Sequence, residues 1–165
     1  MLFEKVAQWY ESGVDYHICN ADEYGDPGAV DMTVTYPTLQ NTGELVFVVQ
    51  VKSGGTAAAT DTYQFILRGS ATTDGTDLNG TVVDLVTSPT FTQSGSWCQK
   101  TDASCGLFVG QVPSLARDYR YWQPYINITS VSGDLDLQVF MFLALDQAVP
   151  ARPGNISNAS SVTLP

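Results

Sequence analysis

Histidine, cysteine and positive charge are all scarce in this sequence, and each shortage narrows the chemistry open to it. There is one histidine, His17. A multi-histidine metal centre is therefore excluded, and a Ser-His-Asp device would have to be built on that one side chain. His17 stands in a polar stretch beside Ile18 and Cys19. Residues 17 and 19 of an extended segment point the same way, but a Cys-His pair without a third, orienting group is a poor nucleophile, and His17 reads as incidental. Lys and Arg number 7 against 17 Asp and Glu, for a net charge of −10. Phosphate binding needs clustered Lys and Arg, so direct contact with nucleic acid or with an anionic membrane is not expected. No glycine-rich loop follows a strand and opens a helix, as a phosphate cradle requires. Asp84, Asp134, Asp136 and Asp146 can be paired on paper as a glycosidase dyad, but loops and strand ends collect Asp anyway. The expectation is a protein that is not an enzyme and carries no cofactor and no metal.

Long apolar runs are missing too. Nothing approaches the roughly 18 consecutive apolar residues of a spanning helix. Glu4, Lys5, Gln8, Glu11 and Asp15 interrupt any signal-peptide core within residues 1–20, so synthesis in a cytoplasm is expected. The three cysteines are Cys19, Cys98 and Cys105. An odd number without an export signal favours reduced thiols. Cys98 and Cys105 nevertheless flank a short polar loop and are a candidate disulfide, which would add roughly 2–3 kcal/mol. The charged fraction, 15%, is low for a soluble domain. Sparse charge amid abundant Thr, Ser, Asn and Gln suits extensive protein–protein contact.

What is present is strand pattern. The chain fits one domain, and the prior is all-β: a single-domain, jelly-roll-like β-sandwich of about eight strands with an extended N-terminal arm (1–27), a β domain (28–147) and an extended C-terminal tail (148–165). Leu135, Leu137, Val139, Met141, Leu143 and Leu145 recur at every second position, the period of a strand with one face on a core. Phe140, Phe142 and Ala144 make the opposite face apolar as well, so it needs cover from another layer or a partner chain. The preceding run, Arg117–Val131, is aromatic and β-branched. With Ser132-Gly133-Asp134 between them, the two runs predict a central hairpin. Further strands are predicted at Val30–Tyr36, at Glu44–Lys52 (apolar on both faces), at Thr62–Gly69 (Tyr63, Phe65 and Leu67 inward, Gln64 and Arg68 outward), at Thr81–Thr87 and at Leu107–Val112. Thr72–Gly80 is a turn-rich loop in which Asp74 and Asp77 resemble part of a cation loop, although the Asp-Gly and Asn-Gly pairs explain them as turns.

In the arm, Leu2, Val6, Trp9 and Tyr10 fit one helical stripe. Asp15, Asp22, Glu23 and Asp26 crowd a loop where calcium is conceivable and plain solvation the ordinary reading. Tyr119, Tyr121 and Tyr125, with Trp122 on the opposite face, are candidates for a sugar-stacking platform, though strand aromatics more often pack in cores or across strands. The sequons at Asn79, Asn127, Asn155 and Asn158 mean little without secretion. After Asp146 the Pro-, Ser- and Asn-rich remainder is too polar to fold alone.

Three segments read together, Phe65–Gly75, Arg117–Trp122 and Leu137–Asp146, resemble the small jelly-roll capsid cement (decoration) proteins of tailed bacteriophages, of the podovirus or cyanophage type. In that family a strand ends in a Gly-Ser plus Asp-Gly turn, and a Tyr-Arg-Tyr strand precedes a closing apolar strand ending in Leu-Asp. The likeness spans about Glu44 to Gln147; the Cys98–Cys105 excursion and the long tail depart from it. It implies a structural protein made in the host bacterial cytoplasm and standing on the outer surface of the virion capsid as a homotrimer, clamping major capsid protein subunits. On that reading Leu2, Phe3, Trp9 and Tyr10 anchor to the shell, Val149 begins a second strap, and Phe140 and Phe142 form the trimer interface or, equally, a second core layer. Deleting residues 1–12 is expected to abolish binding and spare the trimer. The rivals are a carbohydrate-binding jelly-roll module, with calcium at Asp74–Asp77, and a phage tail or baseplate β-sandwich.

Overall fold

Alternation fixes which face each long strand buries, and the sheets follow from which faces can be buried together. The computed structural model describes residues 7–9, 17–19, 23–25, 28–35, 45–55, 62–92, 107–129 and 135–145. Among them are eleven strands in two antiparallel sheets, with almost no helix. The all-β expectation is met.

The first sheet is built on β5 (Leu45–Gly55) and β11 (Leu135–Leu145), paired from Leu45↔Leu145 onward. β9 (Leu107–Gln111) lies on the free side of β5. β1 (Ala7–Trp9) and β2 (His17–Cys19) lie end to end along the other edge of β11. The second sheet is built on β6 (Thr62–Thr73) and β10 (Tyr121–Thr129), paired from Thr62↔Thr129 to Ser70↔Tyr121. β7 (Leu78–Thr87) and then β8 (Phe91–Thr92) follow the outer edge of β6. β3 (Glu23–Tyr24) and β4 (Val30–Asp31) follow that of β10.

One core lies between the sheets. Phe47, Val49 and Val51 of β5, Phe108 of β9, and Val139, Met141 and Leu143 of β11 meet Tyr63, Phe65 and Leu67 of β6 and Trp122, Ile126 and Ile128 of β10. The odd-numbered face predicted for β6 and β11 is thus the buried one. Trp122 sits in this core with its indole N–H donated to the carbonyls of Tyr119 (2.9 Å) and Ala116 (3.2 Å). Both belong to the turn around a 3-10 helix, Ser114–Asp118, that leads into β10. Gly110 is required by the opposite layer: a Cβ there would run into Val86 and the Phe108 ring.

Four expectations are corrected. The central hairpin does not form, because β10 and β11 belong to different sheets. Each already has a long ladder on one edge, with β6 and with β5, and apolar faces that meet across the core satisfy both without direct pairing. Val30–Tyr36 is not one strand: β4 ends at Asp31 and a one-turn helix, Met32–Thr35, follows. Asp31 Oδ1 accepts from the Thr33 N–H (3.0 Å) and hydroxyl (2.7 Å), a side-chain cap that competes with extended backbone. In the segment expected as an arm, Ala7–Trp9, His17–Cys19 and Glu23–Tyr24 are strands of the sheets, so Trp9 lies on a ladder opposite Met141 and not on a helical stripe. The Thr72–Gly80 loop shrinks to residues 74–77, since β6 and β7 extend as a hairpin on either side.

Candidate functional site

The side chains left for function are those on the outer faces of the two sheets. On β6 the even-numbered residues face outward, and on β10 the odd ones do. Together they place Arg68 beside Tyr125, with Tyr24 of β3 beyond it and Asp84 of β7 on the other side. Arg68 Nε donates to Asp84 Oδ1 at 2.8 Å. Its guanidinium carbon lies 3.6 Å from the centre of the Tyr125 ring and 5.9 Å from that of Tyr24. The two tyrosines meet edge to face at 5.1 Å. A planar cation over an electron-rich ring is a favourable cation–π stack. Burial works against the Arg68 charge, but hydrogen bonds to Asp84 and Tyr24 and their electrostatic attraction outweigh it, raising the pKa above the ordinary arginine value.

Opposite Arg68 on the ladder is Gln123, an outward-facing residue that is nonetheless fully buried. The β6–β7 turn folds over it. Its Oε1 accepts from the Leu78 N–H (3.1 Å), and its Nε2 donates to the Gly25 carbonyl (3.0 Å) and to Asp77 Oδ1 (2.7 Å). The turn docks in turn on the segment before β4, where the Ala29 N–H donates to the Thr76 carbonyl at 2.8 Å. Gly28 has φ +119°, and a Cβ there would come within 2.6 Å of that carbonyl, so no other residue fits. At the far end of β10, Arg120 closes on Asp31 Oδ2 through Nε (2.9 Å) and a terminal nitrogen (2.7 Å). That ion pair raises the Arg120 pKa through the hydrogen bond and the charge of Asp31.

The first sheet presents a different outer face. Val46 and Val48 of β5, Val109 of β9 and Ala144 of β11 form a second apolar cluster, with Phe142 packed against it. The Phe140 and Phe142 rings lie 5.2 Å apart and both are half-buried, Phe142 against this cluster and Phe140 against Phe142.

The residues of the supposed sugar platform do not act together. Trp122 is in the core and Tyr119 packs against it. Tyr121 and Tyr125 share the outer face, but the Arg68 guanidinium stacks on the Tyr125 ring, where a sugar would lie. Asp74 and Asp77 are occupied by the turn: Asp74 Oδ1 accepts from the Thr76 (3.0 Å) and Asp77 (2.9 Å) N–H groups, and Asp77 takes the Gln123 amide. The Thr76 hydrogen bond, then that from Asp77, holds the Asp74 pKa below the ordinary carboxylate value. Among the described residues no three His, Cys, Asp or Glu come together as a metal site. Leu2, Phe3, Tyr10, Val149, Cys98 and Cys105 lie outside the described residues, as do Asp15, Asp22 and Asp26. The outward position of Arg68 was readable from alternation; Asp84 became its partner only through the ladder register, and Tyr24 through a two-residue strand with no period of its own.

No protein-family model and no curated protein matches the chain.

Proposed function

We propose that the chain is a jelly-roll structural protein that decorates the outer surface of a phage head as a homotrimer and clamps neighbouring major capsid protein subunits. The observation that carries the reading is the strand order. With β1 and β2, β3 and β4, and β7 and β8 each counted as one interrupted strand, the described residues group into eight. The first sheet then runs first, eighth, third, sixth, and the second runs second, seventh, fourth, fifth. That interleaving is what a double Greek key would give and supports the jelly-roll reading. Two of the three segments that carry the resemblance are adjacent rungs of one ladder, Gly69 opposite Trp122 and Ser70 opposite Tyr121. Gly69 is needed at that point, because a Cβ would stand 2.9 Å from Tyr119 Cβ.

Such a protein acts by additive contact. Each interface is modest, and repetition over a lattice supplies the avidity that a single contact lacks. The cover over Phe140 and Phe142 is a neighbouring copy, and the shell is gripped by Leu2, Phe3, Trp9, Tyr10 and the tail from Val149. Because β1 completes the edge of β11, deleting residues 1–12 would also strip a strand from the sheet. The cleaner test of anchoring is Leu2→Ser with Phe3→Ser. The purified chain is mixed with undecorated heads assembled from the major capsid protein of the same genome, and sedimented. The unsubstituted chain should pellet with the heads, and the double variant should remain in the supernatant. A genome without such a protein, or heads that leave the unsubstituted chain in solution, overturns the reading. The sugar-binding alternative has less support, since Arg68 covers the Tyr125 face it would use.

A further inference from the structure

Asn79-Gly80, at the start of β7, is the one Asn-Gly pair in the chain. We infer that Asn79 is a self-modifying site, at which the folded hairpin promotes attack of the Gly80 backbone nitrogen on the Asn79 side-chain amide. Both residues are exposed, so water reaches them. The Gly80 N–H donates to Asn79 Oδ1 at 2.6 Å. Oδ1 is bonded to Cγ, so the nitrogen already stands beside the carbon it attacks. Rotation about Cβ–Cγ, a soft torsion, then presents the face of the carbonyl. Gly80 has φ +73°, and a Cβ on it would lie 2.8 Å from Thr72 Oγ1. The position favours glycine, and glycine brings no side chain to screen its nitrogen.

The nucleophile is the deprotonated amide, whose negative charge is shared with the carbonyl oxygen of the same peptide unit, Asn79 O. That oxygen accepts two hydroxyl hydrogen bonds, from Ser70 Oγ at 2.5 Å and from Thr72 Oγ1 at 2.8 Å. Donors aimed at the atom where charge develops lower the barrier as in an oxyanion hole. Ser70 is itself 1% exposed and accepts from the Thr72 N–H, so the hydroxyl is held in place. In the reaction the Gly80 N–Cγ bond forms and the Cγ–Nδ2 bond breaks. Nδ2 leaves as ammonia, carrying the proton given up by Gly80 N. Water then opens the cyclic imide. Cleavage of N–Cγ leaves aspartate in a normal chain, and cleavage of the bond from Gly80 N to the Asn79 backbone carbonyl carbon leaves isoaspartate, with the chain running through Cγ. No oxidant or reductant is needed. Either product adds a negative charge near Asp74 and Asp77, and isoaspartate lengthens the backbone at the Thr72↔Asn79 rung. This inference is independent of the capsid reading.

The test is to incubate the full folded chain at neutral pH and follow conversion at Asn79 by peptide mass spectrometry, beside the same chain unfolded in urea. The folded chain should convert faster than the unfolded one. Thr72→Val, an isosteric change at an exposed strand position, should slow conversion by about tenfold. That is less than the hundredfold or more associated with a water-excluded oxyanion donor, because Asn79 is solvent-exposed. Thr72→Ser, which keeps the hydroxyl, should restore the rate, and circular dichroism checks that each variant is folded. Conversion slower in the folded chain than in urea, or an unchanged rate in Thr72→Val, overturns the inference.

Discussion

Gln123 shows how a polar residue on the outer face of a strand becomes a structural centre. Its amide joins three stretches of chain that are far apart in sequence: β10 itself, the Gly25 segment, and the turn between β6 and β7. All of its described bonds lie under that turn, where a lost partner is not replaced by water. Gln123→Leu keeps the volume but leaves the Leu78 N–H without a partner, while the Gly25 carbonyl keeps only the Gly28 N–H at 3.2 Å. A buried orphan costs about 1–3 kcal/mol, so the variant should lose about 2 kcal/mol, read as a lower urea midpoint at unchanged slope. Arg68 is a second test at this scale. Its planar group stacks on Tyr125 while its ion pair is with an Asp84 that is nearly half exposed. Partly exposed pairs contribute little and the stack contributes more, so Arg68→Lys, which keeps the charge and loses the plane, should cost about 1 kcal/mol. Asp84→Asn should cost visibly less in the same denaturation experiment; a cost as large as that of Arg68→Lys would mean that the ion pair dominates. The outward position of Arg68 follows from the period of β6, whereas the burial of Gln123 was not legible. Alternation places Gln123 outward beside Arg68, and only the fold of a distant turn covers it.

At the scale of elements, period and partner are separate questions, and the sequence answers only the first. The inward faces of β6 and β11 are the predicted ones, while β5, apolar on both faces, gave no choice between them. Which strand lies beside which is set by ladders that apolar alternation cannot encode, and so β10 and β11, adjacent in sequence and alike in composition, line opposite sides of the core. Strands of two or three residues, such as β1, β2 and β3, contain too little period to be read at all. Turns are more legible, because their chemistry is local. Asp74-Gly75 marked the β6–β7 turn, whereas the cap from Asp31 to Thr33 ends β4 inside a segment whose alternation predicted a single strand. In that turn Asp74 binds two backbone N–H groups through one carboxylate oxygen, and its pKa is lowered by them. A carboxylate whose folded pKa lies below its unfolded one adds stability at every pH above the unfolded value, and that contribution disappears as pH falls through the folded value. The turn should therefore weaken only in acid below the ordinary carboxylate range. Asp74→Ala should lower stability at neutral pH and flatten the acid limb of the stability curve there. Urea midpoints across an acidic pH series measure both, and an acid limb unchanged in the variant would show that other carboxylates set it.

The molecule as a whole has one core and two unlike outer faces. The face of the second sheet is closed by specific polar contacts, Arg68 with Asp84 and Tyr125, and Gln123 beneath its turn. The face of the first sheet is apolar: Val46, Val48, Val109 and Ala144 are each no more than 6% exposed, the Phe142 ring stands half-buried at their rim, and the half-buried Phe140 ring lies beside it. Rings at the rim of a covered apolar cluster are suited to meeting a second surface, since aromatics supply large contact area at low cost in side-chain freedom. If that surface is another copy of the chain, exchanging both rings for serine removes the association without touching the core between the sheets, because Val139, Met141 and Leu143 point the other way along β11. Phe140→Ser with Phe142→Ser should then give the mass of a single chain by light scattering where the unsubstituted protein gives that of three, with an unaltered circular dichroism spectrum. A double variant that keeps the mass of the parent and loses several kcal/mol of stability instead would assign both rings to a second layer of the same subunit, as expected for buried aromatics cut to a small polar side chain.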